Sequence, residues 1–164
     1  MASWNEIVRT NGPPTYRAAW RILRHAQDCE DVVQEVFLQA YEPFLRGEIA
    51  HPGTFLNRLV TFRAIDMLRK RRDIDSINSA SPLDESPSAE TAAIHREEES
   101  RLRSIVAELP PRQAAVFCLI HFEELSHDEV ATTLEISSDA VAMAQHKART
   151  RLREVFAVPK KDTK

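Results

Sequence analysis

Asp28-Cys-Glu-Asp-Val-Val-Gln-Glu-Val-Phe-Leu-Gln-Ala-Tyr41 is the stretch that decides how this chain folds. At about 100° per residue, Val32, Val33, Val36 and Phe37, with Ala40 and Phe44, fall on one side, while Glu30, Asp31, Gln34, Glu35 and Glu42 fall on the other. A strand would alternate at every second residue, so the spacing predicts an amphipathic helix. Asp28 is its expected N-cap, and Pro43 and Gly47 mark its end. Leu38 lies at the centre of the polar face. A lone apolar residue there is either an ordinary exposed leucine or a small anchor in a polar interface.

The neighbouring segments carry the same period. Upstream, Tyr16, Ala19, Trp20, Leu23 and Ala26 recur at helical spacing. Downstream, a third helix is expected from near Pro52-Gly53 to Arg72, packed through Leu56, Leu59, Val60, Ala64 and Leu68. Asp73-Ile-Asp-Ser-Ile-Asn-Ser-Ala-Ser-Pro-Leu-Asp-Glu-Ser-Pro-Ser88 has no apolar stripe and is rich in Ser, Asp and Pro, the composition of a flexible linker. Beyond it, a helix from about Glu97 to Leu109 meets Pro110-Pro111, whose second proline suits the first turn of the next helix. Ser126-His-Asp-Glu129 is a capping box for a short helix to about Leu134. Ser137 or Ser138 caps a last helix with Val141, Ala148, Leu152 and Phe156 facing inward. Two helices joined by so short a turn resemble a helix-turn-helix. Small Ala131 allows close approach and Ile136 plugs the turn, although Glu135 occupies the position where glycine would relieve left-handed strain. An ordinary helical hairpin is the plainer alternative.

The chain is therefore expected to be all-α, with two small helical domains, a helical bundle over residues 1–72 and a helix-turn-helix domain over 97–164, joined by a flexible acidic linker over 73–96. Three glycines in 164 residues agree with that class. No run of about 18 apolar residues occurs and no leader-like N-terminus is present, so a soluble, cytoplasmic protein without a membrane partner is expected. Cys29 and Cys118 lie in apolar helical patterns, as reduced, packed thiols do.

A formal net charge of −3 conceals a segregation of charge. Residues 1–72 hold 11 basic and 8 acidic groups (+3), residues 73–100 hold 1 and 8 (−7), and residues 101–164 hold 10 and 9 (+1). The basic groups concentrate at helix ends. Arg69-Lys-Arg-Arg72 extends a helix on which Phe55, Arg58, Phe62 and Arg69 share one side. Aromatics interleaved with arginines suit unstacked bases. Phe55 reads better as core, and Phe62 stays open between core and base contact. Lys147, Arg149, Arg151 and Arg153, followed by Lys160, Lys161 and Lys164, either hold phosphates or complement a helix C-terminus. The acidic middle either folds back on these clusters before docking or acts as a solvated tether.

Catalytic chemistry is not indicated. No glycine-rich phosphate loop, nucleophile elbow or His-Glu-x-x-His occurs. His25/Cys29 and Cys118/His121 could each place two metal ligands on a helix face, but neither pair has third and fourth ligands nearby in sequence, so no metal and no cofactor is expected.

Taken together, the two modules resemble regions 2 and 4 of sigma factors of the extracytoplasmic-function (ECF) group of the sigma-70 family. Asp28 to Tyr41 is similar to that family's Asp-Ala-Glu-Asp-Leu-Val-Gln-Glu-Thr-Phe-Leu-x-Ala-Tyr helix. Phe55-Leu-Asn-Arg-Leu-Val-Thr-Phe-Arg-Ala-Ile-Asp-Met-Leu-Arg-Lys-Arg-Arg72 resembles its promoter-opening helix, and Leu109-Pro-Pro-Arg-Gln-Ala-Ala-Val-Phe117 the start of its region 4. The resemblance implies a transcription initiation factor, not an enzyme, whose partners are core RNA polymerase, promoter DNA and, as a further candidate, an anti-sigma factor. It assigns Asp31, Gln34 and Glu35 to polymerase, and the reading of the helix face adds Leu38 as a candidate apolar anchor among them.

For DNA the resemblance and the charge pattern together point to Arg58, Phe62, Arg69, Lys70, Arg71 and Arg72 near the −10 element, and to the last helix at the −35 element. Two departures stand out. Thr61-Phe62 replaces the family's frequent Arg-Asn, and Val141-Ala-Met-Ala144 replaces Val-Lys-Ser-Arg. With those basic residues missing, Ser138, Asp139, Gln145 and His146 are the remaining candidates for bases, and Lys147 and Arg149 for phosphates. A helix-turn-helix regulator that never engages polymerase, or a sigma-derived protein-interaction module, are the rival readings.

Overall fold

Ser3 opens the first helix. Its hydroxyl accepts the Glu6 amide at 3.3 Å while the Glu6 carboxylate accepts the Ser3 amide at 2.7 Å, a reciprocal cap. From this cap α1 (Trp4–Leu23) runs without a break, so the stripe that starts at Tyr16 understates the helix. Pro13 and Pro14 lie inside it and remove the amides that would reach the carbonyls of Arg9 and Thr10. All four residues are exposed, so solvent can satisfy what the prolines leave open. The computed structural model describes residues 2–78 and 90–157, and all regular structure among them is helical.

α2 (Ala26–Leu45) begins earlier than expected. His25, not Asp28, is the N-cap, its Nδ1 accepting the Asp28 amide at 3.3 Å. Asp28 lies inside the first turn instead, where its carboxylate pairs with Arg71 of the third helix. The expected faces hold: Val32, Val36 and Ala40 are buried, with Val33, Phe37 and Phe44 packed beside them. Trp4 closes the N-terminus of α1 over the end of α2, with ring centroids 6.0 Å from Phe37, 5.2 Å from Tyr41 and 5.1 Å from Phe44.

α3 (Pro52–Asn78) buries Leu56, Val60, Ala64, Ile65 and Leu68 against this layer. The helix continues past Arg72, and α4 (Glu90–Glu108) starts well before Glu97. The span 73–96 expected as linker is thus helical at both ends. Ser, Asp and Asn are weak helix formers, but extending an existing helix costs only tenths of a kcal/mol per residue, about 0.7 at most. No proline occurs between Pro52 and Pro82, and Glu90 to Arg96 is rich in strong helix formers. Residues 79–89, including Asp84 and Glu85 of the acidic middle, lie outside the described residues, as do Lys160, Lys161 and Lys164.

The second module follows as α4, α5 (Pro111–His121), α6 (His127–Leu134) and α7 (Ser138–Ala157). Pro111 takes the first turn of α5. The box at Ser126 forms, with the Glu129 amide at 3.2 Å from the serine hydroxyl and the Ser126 amide at 2.7 Å from the Glu129 carboxylate. Those bonds hold the Glu129 carboxyl below its usual range. Glu135 does adopt left-handed backbone, with φ 56°. Of the two serines, Ser137 caps α7, accepting the Ala140 amide at 3.1 Å. Val141, Ala148 and Leu152 are buried, but Phe156 is not an inward residue. It is 42% exposed and lies under the Arg101 guanidinium, 4.9 Å from its ring centroid.

α3 joins the modules, packing on α1 and α2 at one side and on α4, α5 and α6 at the other. Arginines end the helices across this boundary. The carbonyl of Ala107 would pair with the amide of residue 110 or 111, both prolines, so no backbone donor reaches it. Arg69 supplies the donor: Nε to the Ala107 carbonyl at 3.1 Å and Nη2 to that of Leu109 at 2.5 Å. In the other direction Arg103, half-buried on α4, donates to the Ile22 carbonyl at the end of α1 at 3.1 Å. Exposed or half-exposed pairs surround these bonds: Arg58–Glu135 at 2.7 Å, Arg72–Glu108 at 2.8 Å and Arg21–Glu123 at 2.9 Å.

Arg69→Ala leaves a buried carbonyl without a donor and should lower stability by about 1–3 kcal/mol, whereas Arg72→Ala removes a partly exposed pair and should cost about 0–1 kcal/mol. Urea midpoints of the two variants measure this. Equal shifts would show that the Arg69 fork is no more than a surface contact.

Candidate functional site

Two faces and one arginine cluster carry the residues singled out by the sequence. On α2, Asp31, Gln34, Glu35 and Leu38 are all exposed, and Leu38 is 76% so. Gln27 donates to the Asp31 carboxylate at 3.2 Å, which orders the start of the face. The apolar part does not stop at Leu38. Tyr41 and Leu45, one and two turns further on, are 44% and 63% exposed, so a short stripe of large side chains runs along the acids. The same helical spacing that found Leu38 would have found them. At the edge of this face Gln39 accepts both Nε and Nη2 of Arg63, at 3.2 and 3.0 Å, and so fixes α2 against α3.

The α3 cluster is arranged differently from the exposed basic end expected of it. Arg69 points into the boundary between modules and is held by two carbonyls. Arg71 pairs with Asp28, Arg72 with Glu108, and Arg58 with Glu135 at the turn before α7. Lys70 is exposed. Phe62, like Phe55, is half-buried and packed against the core. Thr61, where the family often has arginine, is buried with its hydroxyl donating to the Asn57 carbonyl at 2.7 Å.

α7 keeps its outer side open. Asp139, His146, Lys147 and Arg149 are exposed. Gln145 is not available to a base, because it falls on the inner side with Val141 and Ala148, is 8% exposed and has its Oε1 2.6 Å from His127 Nε2 of α6. Ser138 is exposed, yet its hydroxyl donates to Asp128 at 2.9 Å and staples α7 to α6. Met143, passed over in the sequence, is 60% exposed on the outer side.

Neither cysteine is placed for chemistry. Cys29 and Cys118 are buried in different modules, and burial pushes both thiols up, away from the reactive thiolate. His25, paired with Cys29 by its spacing as a candidate metal ligand, uses its Nδ1 to cap α2 instead. Among the described residues no three His, Cys, Asp or Glu side chains converge as a metal site would need, and no helix is long and apolar enough to cross a membrane.

The arrangement is that of known proteins. Residues 7–74 match the family described as Sigma-70 region 2, and residues 99–152 match Sigma-70, region 4. The ECF RNA polymerase sigma factor SigE of Mycolicibacterium smegmatis is 30% identical over 99% of this chain, which spans 65% of that relative's length. The RNA polymerase sigma-H factor of Pseudomonas aeruginosa is also 30% identical, over 79% of this chain and 73% of that protein. Among solved structures, CnrH in complex with the cytosolic domain of CnrY has the same fold, with a TM-score of 0.60 at 22% identity over 94% of this chain and 87% of that one. Both domain matches, in this order along one all-helical chain, place it in a family of transcription initiation factors rather than enzymes: the chain belongs to the ECF group of the sigma-70 family of RNA polymerase sigma factors.

Proposed function

We propose that this chain binds core RNA polymerase through Asp31, Gln34, Glu35 and Leu38, extended by Tyr41 and Leu45, and directs the enzyme to promoters. The observation that carries the reading is the α2 face itself, where acids, an amide and large apolar side chains stand exposed together on one helix. A polar rim around apolar anchors is the composition of a protein interface. An internal regulator without polymerase contact would have no use for such a face beside a region 2 match. A factor of this kind acts where polymerase acts, in the cytoplasm, and the likeness to CnrH, solved with the cytosolic domain of CnrY, supports a second polypeptide partner such as an anti-sigma factor.

DNA contact divides between the modules. α7 presents Lys147 and Arg149 while the modules are packed together. By contrast Arg58, Arg69 and Arg72 are engaged by the second module, so their use on promoter DNA requires the modules to part. Polymerase, bound at α2 on the far side of α3, is the partner proposed to separate them.

Gln34→Ala with Glu35→Ala should abolish co-purification with core polymerase and run-off transcription while leaving the helical circular-dichroism spectrum and urea midpoint unchanged, because both side chains are exposed. Wild-type retention on polymerase would refute the docking face.

Binding of duplex DNA by the free chain should lose about 0.9 units of log–log salt slope per phosphate contact when Lys147 and Arg149 are changed to alanine. In the free chain Arg69→Gln with Arg72→Gln should leave that slope as it is, and should reduce it only for the polymerase-bound factor. A reduction of equal size in the free chain would mean that α3 already lies on DNA.

A further inference from the structure

We infer that α7 reads thymine C5-methyl groups through Met143, with Ala142 beside it, rather than reading bases by hydrogen bonds. The inference rests on the reading of α7 as the helix that enters the major groove, and it concerns what that helix recognises there.

α7 splits cleanly into two sides. At about 100° per residue, Val141, Ala144, Gln145, Ala148 and Leu152 face inward and are buried. The opposite side is exposed, with Met143, His146 and Asp139 near its midline and Ala142 just beside them. Lys147 and Arg149 flank that strip at about 80° to either hand. Cations at both margins, with a strip between them that carries no cation before Arg153 near the end of the helix, match a major groove, whose floor is base edges and whose rims are phosphates.

Apart from Asp139 and His146, the strip before Arg153 has little capacity to hydrogen-bond. Gln145 is turned inward onto His127, Ser138 is bonded to Asp128, and the Thr150 hydroxyl donates to the His146 carbonyl at 2.9 Å. Guanine is normally read by Arg or Lys and adenine by Asn or Gln, and the residue of these types within the strip, Arg153, lies ten positions beyond Met143, in the last turns of the helix. What lies there is Met143, 60% exposed. Leaving so large an apolar side chain in water on a basic helix has a use if an apolar group in the groove covers it, and the thymine methyl is the apolar group that the major groove offers. Methionine, unbranched and polarizable, adapts to such a contact more readily than a β-branched residue. His146 and Asp139 remain to set register at the two ends of the strip.

The probe is a duplex enriched by the full chain, alone at low salt and with core polymerase, from a pool carrying one randomised block. That duplex is then remade with deoxyuridine in place of each thymine, which removes a methyl group and nothing else. Wild type should weaken about fourfold at one or two thymines, the equilibrium equivalent of uncovering one methyl-sized group. Met143→Ala, an exposed substitution with little bearing on folding, should bind the thymine duplex about as weakly as wild type binds the uridine one, and should show no further loss on uridine. Met143→Gln should move the enriched base toward adenine. Tolerance of uridine at every position by wild type, or a uridine penalty that persists in Met143→Ala, overturns methyl reading. The same series in Lys147→Ala with Arg149→Ala separates the two claims. If that pair still weakens duplex binding while uridine is tolerated, α7 is on DNA through phosphates only and just the methyl reading fails. If that pair changes nothing, α7 is not on DNA and the proposed function of the second module fails with it.

Discussion

The carbonyl of Ala107 has no amide to bond to, because the two residues that could bring one are Pro110 and Pro111. An unsatisfied buried carbonyl costs on the order of 1–3 kcal/mol, and Ala107 is 6% exposed. Arg69 removes that cost from another module, with a fork that reaches the Leu109 carbonyl as well. Arg103 does the converse for Ile22, and Arg101 donates to the Val155 carbonyl at 2.7 Å near the end of α7. Guanidinium groups at the negative ends of helices combine a dipole interaction with a hydrogen bond that no backbone group supplies. Burial pulls the Arg103 guanidinium below its ordinary value, the mark of a cation held where water is scarce. The packing of one module on the other follows from helix ends that are incomplete alone.

That solution explains why the α3 cluster and α7 differ. Both carry the arginines and lysines of a phosphate-binding surface, and sequence treats them alike. α7 keeps Lys147 and Arg149 on the outside, whereas in the α3 cluster Arg69, Arg71 and Arg72 are engaged and Lys70 alone of Arg69 to Arg72 stands exposed without a partner shown among the described residues. Arg69 is drawn to the C-terminus of α4 by the carbonyls that the following prolines leave open, Arg72 by the Glu108 carboxylate there, and Arg58 by Glu135, which holds the left-handed turn between α6 and α7. Among the described residues the cluster is covered by Glu108, Glu135 and backbone carbonyls, while the acidic middle stays open between a masking strand and a solvated tether. The fork that holds the two modules together is thus made of a group whose proposed use on DNA requires it to be released.

Helix existence and facing were legible in the sequence because burial enforces the period. Val32, Val36 and Ala40 could not be mistaken for anything but one side of a helix. Capping boxes were equally legible at Ser126, since two reciprocal bonds need only a serine and a glutamate three residues apart. What sequence did not show is partnership at a distance. Asp28 looks like a cap until Arg71 is placed beside it. Gln145 looks like a base reader until His127 is found to occupy it, because helical phase near the margin of a face differs by less than the uncertainty in where the face lies. Phe156 belongs to the apolar stripe by spacing, but the core has ended by that turn and Arg101 covers it instead. The helix ends inside residues 73–96 were hidden for another reason. Composition marks where a helix is not favoured, whereas propagation from a stable helix carries it further than composition alone.

Opening the modules need not be difficult. The ion pairs across the boundary are partly exposed, worth about 0–1 kcal/mol each, and the carbonyls freed by Arg69 would be rehydrated once the boundary opens. The remaining cost is the contact of α3 with α4, α5 and α6. A partner can shift such an equilibrium only by binding the open form more tightly than the closed one, at about 1.4 kcal/mol per tenfold difference in affinity. The α2 face is exposed in the closed form, so contact there alone is indifferent to the state of the boundary. Discrimination must therefore come from a second contact that the closed form forbids, on α3 or on the inner surface of the second module. Two-point attachment is the physical requirement, and a chain made of two modules with one face open and another covered is built to meet it.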